Sequence, residues 1–351
     1  MTFNAELLTV IIRIHSDKFL SDLDQCLFSV AYQGYRAIEA IVCTQNFGDN
    51  SLAAVEKLAK DYRISGLAVT VVNCELGAGD HRAEMLNVGL SHASGRYIAF
   101  LDHDDCVYNG GYSFLINRLR DSKNAPVAFG RVARSDVSGR GVDAYCHSKS
   151  PMYTEEDKYS FFLSNIYPIH SSVLDRKRIR EEDMYFDKGV KLYEDYMFYM
   201  RILSKCDWED CRTEIVAGEY RIHLDGSNTV STSQQEEKVA ASKVVEALRN
   251  SLNITLPLSG FCDVLQKGNS SVQISSKDTM QNYAKELLDT TSWRAMRPFR
   301  ILCAKLGNQT YKEPVVPDRE SEAEQLVLKI LTSSSWALSY PIRVIGRVLR
   351  K

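Results

Sequence analysis

The sequence predicts an α/β fold in which a parallel sheet is covered by helices on both faces. Two hydrophobic periods alternate along the first hundred residues. Continuous apolar runs, such as 7–14, are typical of buried strands, whereas apolar residues at helical spacing, such as those in 20–30, are typical of amphipathic helices. Alternation of this kind favours parallel strands joined by helices, with ligands bound at the carboxyl ends of the strands.

The individual elements follow from the same two periods. In the alternating region the patterns predict strands at 7–14, 38–43, 67–73 and 96–101 and helices at 20–30, 52–62 and 81–91. After Asp105 the regular alternation ends. The patterns then predict strands at 127–133, 167–174 and 214–223 and helices at 193–203 and 234–249.

Composition and charge limit the function classes. The 351-residue chain is 44% hydrophobic and 25% charged, which is typical of a globular protein with one large domain and an extension, or with two domains. Its formal net charge of −2 gives no electrostatic basis for binding nucleic acid. Residues 281–351 nevertheless carry 12 Lys and Arg against 7 Asp and Glu, whereas the rest carries 31 against 38. A neutral to acidic body thus has a basic tail.

Apolar segments and cysteines indicate the compartment. No run approaches the roughly 18 apolar residues of a membrane span, and the N-terminus lacks the pattern of a signal peptide. The nine cysteines include no CxxC pair, which favours reduced thiols packed as small hydrophobic side chains over zinc sites or disulfides. We therefore expect a cytoplasmic protein.

The main domain boundary is expected near residue 255. Ser, Asn and Gly become frequent at 250–277, as in a linker. Beyond it, 288–300 and 331–343 match at Leu, Ser, Trp, Pro and Arg with a constant offset of 43 residues. We predict a main domain at 1–255 and a helical C-terminal extension at 256–351 that contains this two-copy repeat.

The strongest local signal for chemistry is the acidic run Asp102-His103-Asp104-Asp105, which directly follows an apolar strand. At the carboxyl end of a parallel strand, carboxylates crowd into the crevice where ligands bind, and they repel one another unless a cation joins them. A hard divalent metal ion is the natural partner. A solvated acidic turn is the alternative interpretation.

The order of these pieces resembles family 2 glycosyltransferases with the GT-A fold. The counterparts are a first strand ending at 10–15, a second strand at 38–46, Arg82 and Asn87 in the next loop and helix, and the Asp102-x-Asp104 motif. The resemblance covers roughly residues 7 to 230. It implies a mixed, mostly parallel sheet flanked by helices, with a nucleotide-sugar half at about 1–106 and an acceptor half at about 107–255.

The resemblance also implies a donor and metal site. Asp102 would lie near the ribose and the metal ion, Asp104 would bind Mn²⁺ or Mg²⁺ directly, and His223 would complete the metal site. Asp105 would have a structural role beside Asp102 and Asp104 and would not bind the metal ion directly. The donor-binding residues implied by the matching positions are Arg13, His15, Thr44, Gln45, Arg82, Asn87, Asp102 and His103.

The donor base stays open because the chain departs from the family at two places. Relatives often have Asp-Asp-Gly-Ser after the second strand, where an Asp reads uracil. Here Thr44 and Gln45 offer hydrogen bonds but no carboxylate. In addition, Arg13-Ile14-His15 stands where relatives often show Pro-Thr-Tyr.

On the acceptor side, the resemblance implies that Asp195, beside Glu194, is the general base for the attacking hydroxyl, in a displacement that inverts the anomeric carbon. The first turn of a helix favours a carboxylate, so we expect Asp195 to be ionised near neutral pH. Helix capping is the alternative role of this pair. His170 is expected to line the acceptor groove.

Together these features predict a metal-dependent inverting glycosyltransferase. It would move a sugar from a nucleoside-diphosphate sugar to a hydroxyl of a glycan or lipid-linked acceptor, in cell-surface polysaccharide synthesis. Two alternatives from other classes are a non-catalytic nucleotide-sugar-binding module and a nucleotidyltransferase. The latter usually has a Gly-rich loop after the first strand, and 13–24 contains no Gly.

The basic tail adds an expectation about partners. In a helix at 341–351, the apolar residues would lie on one arc and the basic residues on the other, namely Arg343, Arg347, Arg350 and Lys351. Such a helix would lie in the headgroup layer and place the enzyme peripherally on the inner face of the cell membrane. Packing on the main domain, or on a second subunit of a homo-oligomer, is the alternative.

Overall fold

In the described residues of the larger unit, the computed structural model contains a nine-stranded sheet. The structure describes residues 4–154, 156–188, 190–225, 235–254, 291–306 and 310–317, with the further positions 285, 288, 289, 322, 325, 326, 329 and 330. The strands are β1 (Asn4–Ile14), β2 (Ile38–Gln45), β3 (Ala68–Cys74), β4 (Gly95–Asp102), β5 (Cys106–Val107), β6 (Val127–Ser138), β7 (Tyr145–Pro151), β8 (Ser172–Asp175) and β9 (Glu209–His223). Their order across the sheet is β3-β2-β1-β4-β8-β6-β9-β5, and β7 pairs with β6 outside this path.

The first half of the sheet is parallel, as the alternating pattern predicts. β1 pairs with β2 and with β4, and β2 pairs with β3, all in parallel. The carboxyl ends of these four strands therefore meet at one edge of the sheet. The register places Arg13 of β1 opposite Asp102 of β4. Because paired residues of neighbouring strands project from the same face, these two side chains are neighbours.

The second half of the sheet is mixed. β8 runs antiparallel to β4 and β6, β7 antiparallel to β6, and β5 antiparallel to β9, whereas β9 runs parallel to β6. The predicted strand at 167–174 is a strand only from Ser172. Its first part is a 3-10 turn, Ile169–Ser171, because Pro168 lacks the N–H that a strand ladder needs.

Helices cover both faces of the sheet. In the larger unit they are α1 (Leu20–Ala31), α2 (Asp49–Ile64), α3 (Arg82–His92), α4 (Gly111–Asp121), α5 (Glu194–Leu203) and α6 (Gln235–Ser251). Apolar residues of α1, α2 and α4 join Val10 and Ile12 of β1 in one core. On the other face, α3 packs so closely that a Cβ on Gly89 would collide with Ile11.

Aromatic packing fixes α5 against the sheet. Phe198 of α5 stacks on Phe186, with ring centroids 4.3 Å apart, and meets Phe100 of β4 edge-on at 5.6 Å. Phe100 is two residues before Asp102, so this contact holds the start of α5 near the carboxyl end of β4. The fold therefore brings Asp195 and the acidic run to the same edge of the sheet.

The chain divides into two compact units, Met1–Leu258 and Ser259–Lys351. The second unit contains α7 (Thr291–Ala295) and α8 (Arg297–Leu306). The second copy of the repeat and the predicted basic helix at 341–351 lie outside the described residues. Within the part of the chain that the structure describes, none of the helices is long and apolar enough to cross a membrane.

Candidate active site

A cavity of about 800 Å³ lies where the four parallel strands end. Its lining comes from the ends of β1, β2 and β4, the start of α3, the segment 152–170, the start of α5 and the end of β9. The fold thus gathers distant parts of the sequence at one place. The sequence-predicted residues that line it are Arg13, His15, Gln45, Arg82, Asp102, His103, Asp104, His170, Glu194 and Asp195.

Arg13 is the central cation of this cavity. Its guanidinium donates to both carboxylate oxygens of Asp102, with an Nη2–Oδ2 distance of 3.0 Å, and to Oε1 of Glu194 at 2.8 Å. Burial alone would raise the pKa of Asp102, but the charge and hydrogen bonds of Arg13 outweigh it and lower that pKa to about 2. Arg13 therefore keeps Asp102 ionised and ties β1 to the start of α5.

Arg82 supplies a second cation at the start of α3. It pairs with Asp80 at 2.6 Å, and its Nε lies 3.9 Å from Oε1 of Glu194. Two guanidinium groups thus converge on Glu194, where a negatively charged ligand would also find two cations.

Asp104 differs from Asp102 in its surroundings. It is half-buried and, among the described residues, forms no hydrogen bond or ion pair. His223 at the end of β9 is buried. Burial and the charge of Arg140 lower the pKa of His223, whereas the charge of Asp104 acts in the opposite direction. Asp104 lines the cavity, whereas His223 is not among the described residues that line it.

The predicted metal ligands are only partly brought together. Among the residues the structure describes, no three His, Cys, Asp or Glu side chains are close enough to hold an ion, so Asp102, Asp104 and His223 are not assembled as a set. Both oxygens of Asp102 are used by Arg13. A carboxylate such as that of Asp104, with an imidazole, suits Mn²⁺ or Mg²⁺ when phosphate oxygens supply further ligands.

Asp195 has a different environment from the other acids. The N–H of Tyr196 donates to Oδ1 at 2.7 Å and the amide of Asn165 donates to Oδ2 at 3.2 Å. Burial and the charge of Glu194 nevertheless raise the pKa of Asp195 to about 7, and these hydrogen bonds and Arg13 only limit the rise. The helix start alone would favour the ionised form of Asp195, but burial and the charge of Glu194 outweigh it. A carboxylate that titrates near neutral pH is suited to accept and release a proton.

The remaining donor-side predictions separate into two groups. His15 and His103 line the cavity with rings 5.6 Å apart, and Phe19 packs on both. Thr44 and Asn87, by contrast, are not among the described residues that line it. Thr44 donates to the side chain of Asn73, and the amide of Asn87 pairs with the backbone of Phe186. The hydrogen-bonding groups of both side chains are therefore used by residues outside the cavity lining.

His170 is a buried residue of the cavity wall that lies beside Asp105. Its Nδ1 lies 3.2 Å from Oδ2 of Asp105, and its ring stacks on Tyr220. Burial lowers the pKa of His170 to about 4, so the ring is neutral at neutral pH. Asp105 also accepts a hydrogen bond from the backbone N–H of Arg221 at 2.8 Å. The pair joins the acidic run to β9.

Comparison with known proteins identifies the family to which the chain is similar. The sequence model described as Glycosyl transferase family 2 matches residues 9–182. A β-1,3-glucosyltransferase of Escherichia coli, WfaP, named as acting on UDP-Glc and α-D-GlcNAc-diphosphoundecaprenol, is 28% identical over 69% of this chain and 87% of its own. A Campylobacter jejuni GalNAc(5)-diNAcBac-PP-undecaprenol β-1,3-glucosyltransferase is 26% identical over 66% of this chain and 72% of its own.

The chain belongs to glycosyl transferase family 2. It is a glycosyltransferase, as its named relatives are. The S. aureus TarS 1-349 structure in complex with UDP-GlcNAc has a TM-score of 0.55 at 17% identity and covers 97% of this chain and 92% of its own. This likeness confirms the predicted GT-A fold.

Several residues that line the cavity of this glycosyltransferase lack a sequence signal of their own. Tyr153, Asn165 and Arg140 lie in segments without a recognisable motif, and only the three-dimensional fold brings them to the cavity. Tyr193 and Tyr220 are different, since Tyr193 immediately precedes Glu194 and Tyr220 lies three residues before His223, both of which are predicted site residues. Inspection of the neighbours of each motif could have found these two.

Proposed function

We propose that this glycosyltransferase transfers a sugar from a metal-bound nucleoside diphosphate to an acceptor hydroxyl, with inversion at the anomeric carbon. One observation carries the proposal: Asp104, a carboxylate without a partner among the described residues, and Asp195, a carboxylate that titrates near neutral pH, line the same cavity. The first suits a metal–diphosphate and the second suits a proton acceptor.

On the donor side, the cations Arg13 and Arg82 and the rings of His15 and His103 would surround the nucleotide. Asp104 and His223 would hold Mn²⁺ or Mg²⁺, whose chemistry here is to neutralise the charge of the departing diphosphate. Asp102 is held by Arg13 and would act through it, as a partner that fixes the guanidinium.

On the acceptor side, Asp195 would accept the proton of the attacking hydroxyl at one of its carboxylate oxygens. Asn165 orients this carboxylate through its hydrogen bond to Oδ2. Glu194 would act by position and charge, because it anchors Arg13 and raises the pKa of Asp195. One base and one leaving group are sufficient for a single displacement, whereas a retaining mechanism with a covalent intermediate needs a carboxylate nucleophile.

The acceptor class is proposed from the relatives. WfaP and the Campylobacter enzyme are named for acceptors linked to diphosphoundecaprenol or PP-undecaprenol. We therefore propose a lipid-linked glycan acceptor in polysaccharide synthesis, which would place the enzyme at the inner face of the cell membrane.

The basic tail would contact anionic lipid. Flotation of the full chain with anionic liposomes checks this contact. Replacing Arg343, Arg347 and Arg350 by Ser should abolish the flotation. A variant that floats like the wild type would contradict the proposed contact.

The product released from the donor tests the proposed reaction. The full chain is incubated with UDP-, GDP- and dTDP-sugars and Mn²⁺ or Mg²⁺, with and without a lipid-linked glycan extract. We expect metal-dependent release of nucleoside diphosphate from one donor and transfer of its sugar to the extract. Release of pyrophosphate, or equal turnover in the presence of a chelator, would overturn the proposal.

A further inference from the structure

Two tyrosines of the cavity have an unusual backbone. Among the described residues, the left-handed region is occupied outside glycine only by Asn46, Tyr153 (φ 51°) and Tyr193 (φ 66°). Asn tolerates this conformation, but a bulky side chain does so only at a cost in free energy. Such strain is retained where the surrounding structure enforces it, and it is concentrated at functional sites. Tyr153 and Tyr193 both line the cavity.

The structure enforces the backbone at both positions. Arg212, which pairs with Asp210 at 2.8 Å, donates to the carbonyl oxygen of Tyr153 at 3.1 Å and to that of Glu156 at 2.8 Å. Arg212 thus clamps the turn that begins at Tyr153. Tyr193 immediately precedes α5, and its carbonyl oxygen accepts the N–H of Met197 at 3.0 Å. Each ring is therefore carried on a fixed support.

The two rings are available to a ligand. Tyr193 is 39% exposed and Tyr153 is half-buried. Among the described residues neither hydroxyl has a hydrogen-bond partner, and neither ring stacks on another ring. Tyr193 is two residues from Asp195. Tyr153 and Asp195 line the same cavity, and burial together with the charge of Asp195 raises the pKa of Tyr153.

The chemistry of this surface matches one class of ligand. A pyranose ring has an apolar face of C–H groups and a rim of hydroxyls, so it binds where an aromatic face adjoins carboxylate or amide groups. Tyr153 and Tyr193 supply the aromatic faces, and Asp195 and Asn165 supply the polar groups. A lipid phosphate without a sugar would make no use of this combination.

We propose that Tyr153 and Tyr193 form the acceptor subsite and bind the pyranose ring of a glycoside against their aromatic faces, with one hydroxyl directed to Asp195. This inference rests on the proposed function, because it assigns the acceptor side of the same cavity. It also deepens that function, since it names the two residues that would hold the sugar ring of the proposed glycan acceptor.

Binding of simple glycosides to the full chain tests the subsite without requiring turnover. Saturation-transfer NMR is recorded with the methyl glycosides of glucose, galactose and N-acetylglucosamine, in the presence of UDP and Mn²⁺, and with the acyclic polyol sorbitol as a probe that lacks a ring face. We expect saturation of the ring C–H protons of at least one glycoside and none for sorbitol. Absence of a signal for all three glycosides would overturn the inference.

Matched variants separate the ring from the backbone. Tyr193→Asn keeps a residue that accepts the left-handed region but removes the ring, whereas Tyr193→Phe keeps the ring. The Asn variant should weaken glycoside binding by about threefold to tenfold, and the Phe variant should bind nearly as well as the wild type. Tyr153→Phe and Tyr153→Asn should behave in the same way. Tyr145→Ala, at an exposed position outside the lining of the cavity, is the control and should not change binding.

The outcomes distinguish this inference from the proposed function. If nucleoside diphosphate is released from a donor but Tyr193→Asn and Tyr153→Asn bind glycosides like the wild type, the subsite is wrong and the transferase reaction stands. If no donor is turned over but glycoside binding depends on both rings, the proposed reaction is wrong and the subsite stands. With an active donor and acceptor, the acceptor KM of the Asn variants should rise more than the donor KM.

Discussion

The proposed donor and acceptor sides of the cavity differ in chemistry although they line the same space. The donor side, from β1, β4 and α3, holds charged groups in pairs, such as Arg13 with Asp102 and Arg82 with Asp80. The acceptor side, from 152–170 and the start of α5, holds aromatic and amide groups around Asp195. Paired charges suit a diphosphate, whose charge must be balanced. An aromatic and amide surface beside a carboxylate suits a sugar, from which only a proton must be removed.

Asp102 and Asp195 show what causes this difference. Burial is the largest influence on both carboxyls and raises the pKa of each. Asp102 lies directly against Arg13, and its pKa ends at about 2. Asp195 lies beside Glu194 and is affected by Arg13 only from a distance, and its pKa ends at about 7. The nearest charged partner, and not the degree of burial, therefore decides which acid stays ionised and which can exchange a proton.

The largest expected effect is on the donor side. Asp104→Ala should lower metal-dependent kcat/KM for the donor by roughly 10³-fold, because several kcal/mol of charge stabilisation at the diphosphate would be lost. Calorimetric titration with nucleoside diphosphate and Mn²⁺ should show the loss directly. Asp61→Ala, at an exposed position of α2, is the control. Metal-dependent affinity that survives in Asp104→Ala would show that the ion is held elsewhere.

On the acceptor side, Asp195→Asn should affect a different constant. We expect kcat to fall by roughly 10²-fold or more, as for loss of a general base, while affinity for the nucleoside diphosphate changes little. Steady-state kinetics and the same titration measure the two quantities. Near-normal turnover would leave Asp195 as a helix-capping residue.

The strands and helices that carry the two sides of the cavity are easier to predict from the sequence than the contacts between them. Strands β1 to β4 and the helices between them follow from local periodicity, and the acidic run follows from its place after β4. The Arg13–Glu194 pair joins residues 181 positions apart, and no local pattern indicates it. Tyr153 and Asn165 are likewise brought to the cavity by loops of the mixed half of the sheet, and no local pattern indicates this.

Two other differences have local causes. The spacing of Leu115, Ile116 and Leu119 in α4 is helical, and this helix escaped prediction although its signal is present. The prediction that Asp195 is ionised near neutral pH rests on the helix start alone. It omitted the adjacent Glu194 and the burial of both side chains, which outweigh the helix start.

A smaller effect tests the coupling through Arg13. Since Asp195 must be ionised to accept a proton, kcat should rise with pH through a midpoint near 7. Arg13→Gln removes a charge that lowers the pKa of Asp195, so its midpoint should move to higher pH, while Arg13→Lys should move it less. The pH profiles of kcat measure this. A uniform loss of activity in Arg13→Gln without a displaced midpoint would show that Arg13 acts only by position.

The smallest expected effect concerns stability. The folded-state pKa of Asp195, about 7, exceeds the ordinary Asp value of about 3.9, so the folded protein binds this proton more tightly than the unfolded chain. The resulting contribution to the free energy of unfolding is fully present below about pH 4 and is lost as the pH rises through 7. The ionised Asp195 thus costs stability at alkaline pH, by up to a few kcal/mol.

Asp195→Asn should therefore raise the Tm at pH 8 by several degrees and by clearly less at pH 5, where only the part of the contribution that disappears between about pH 4 and 5 has been lost. Asp102→Asn should do the opposite at pH 8, because the pKa of Asp102 is lowered and its pairing with Arg13 stabilises the folded state above about pH 4. Thermal unfolding of both variants at the two pH values measures these changes. Equal Tm changes for the two substitutions at pH 8 would mean that their partners do not distinguish the two carboxyls, and the contrast between donor and acceptor sides would then lack its electrostatic cause.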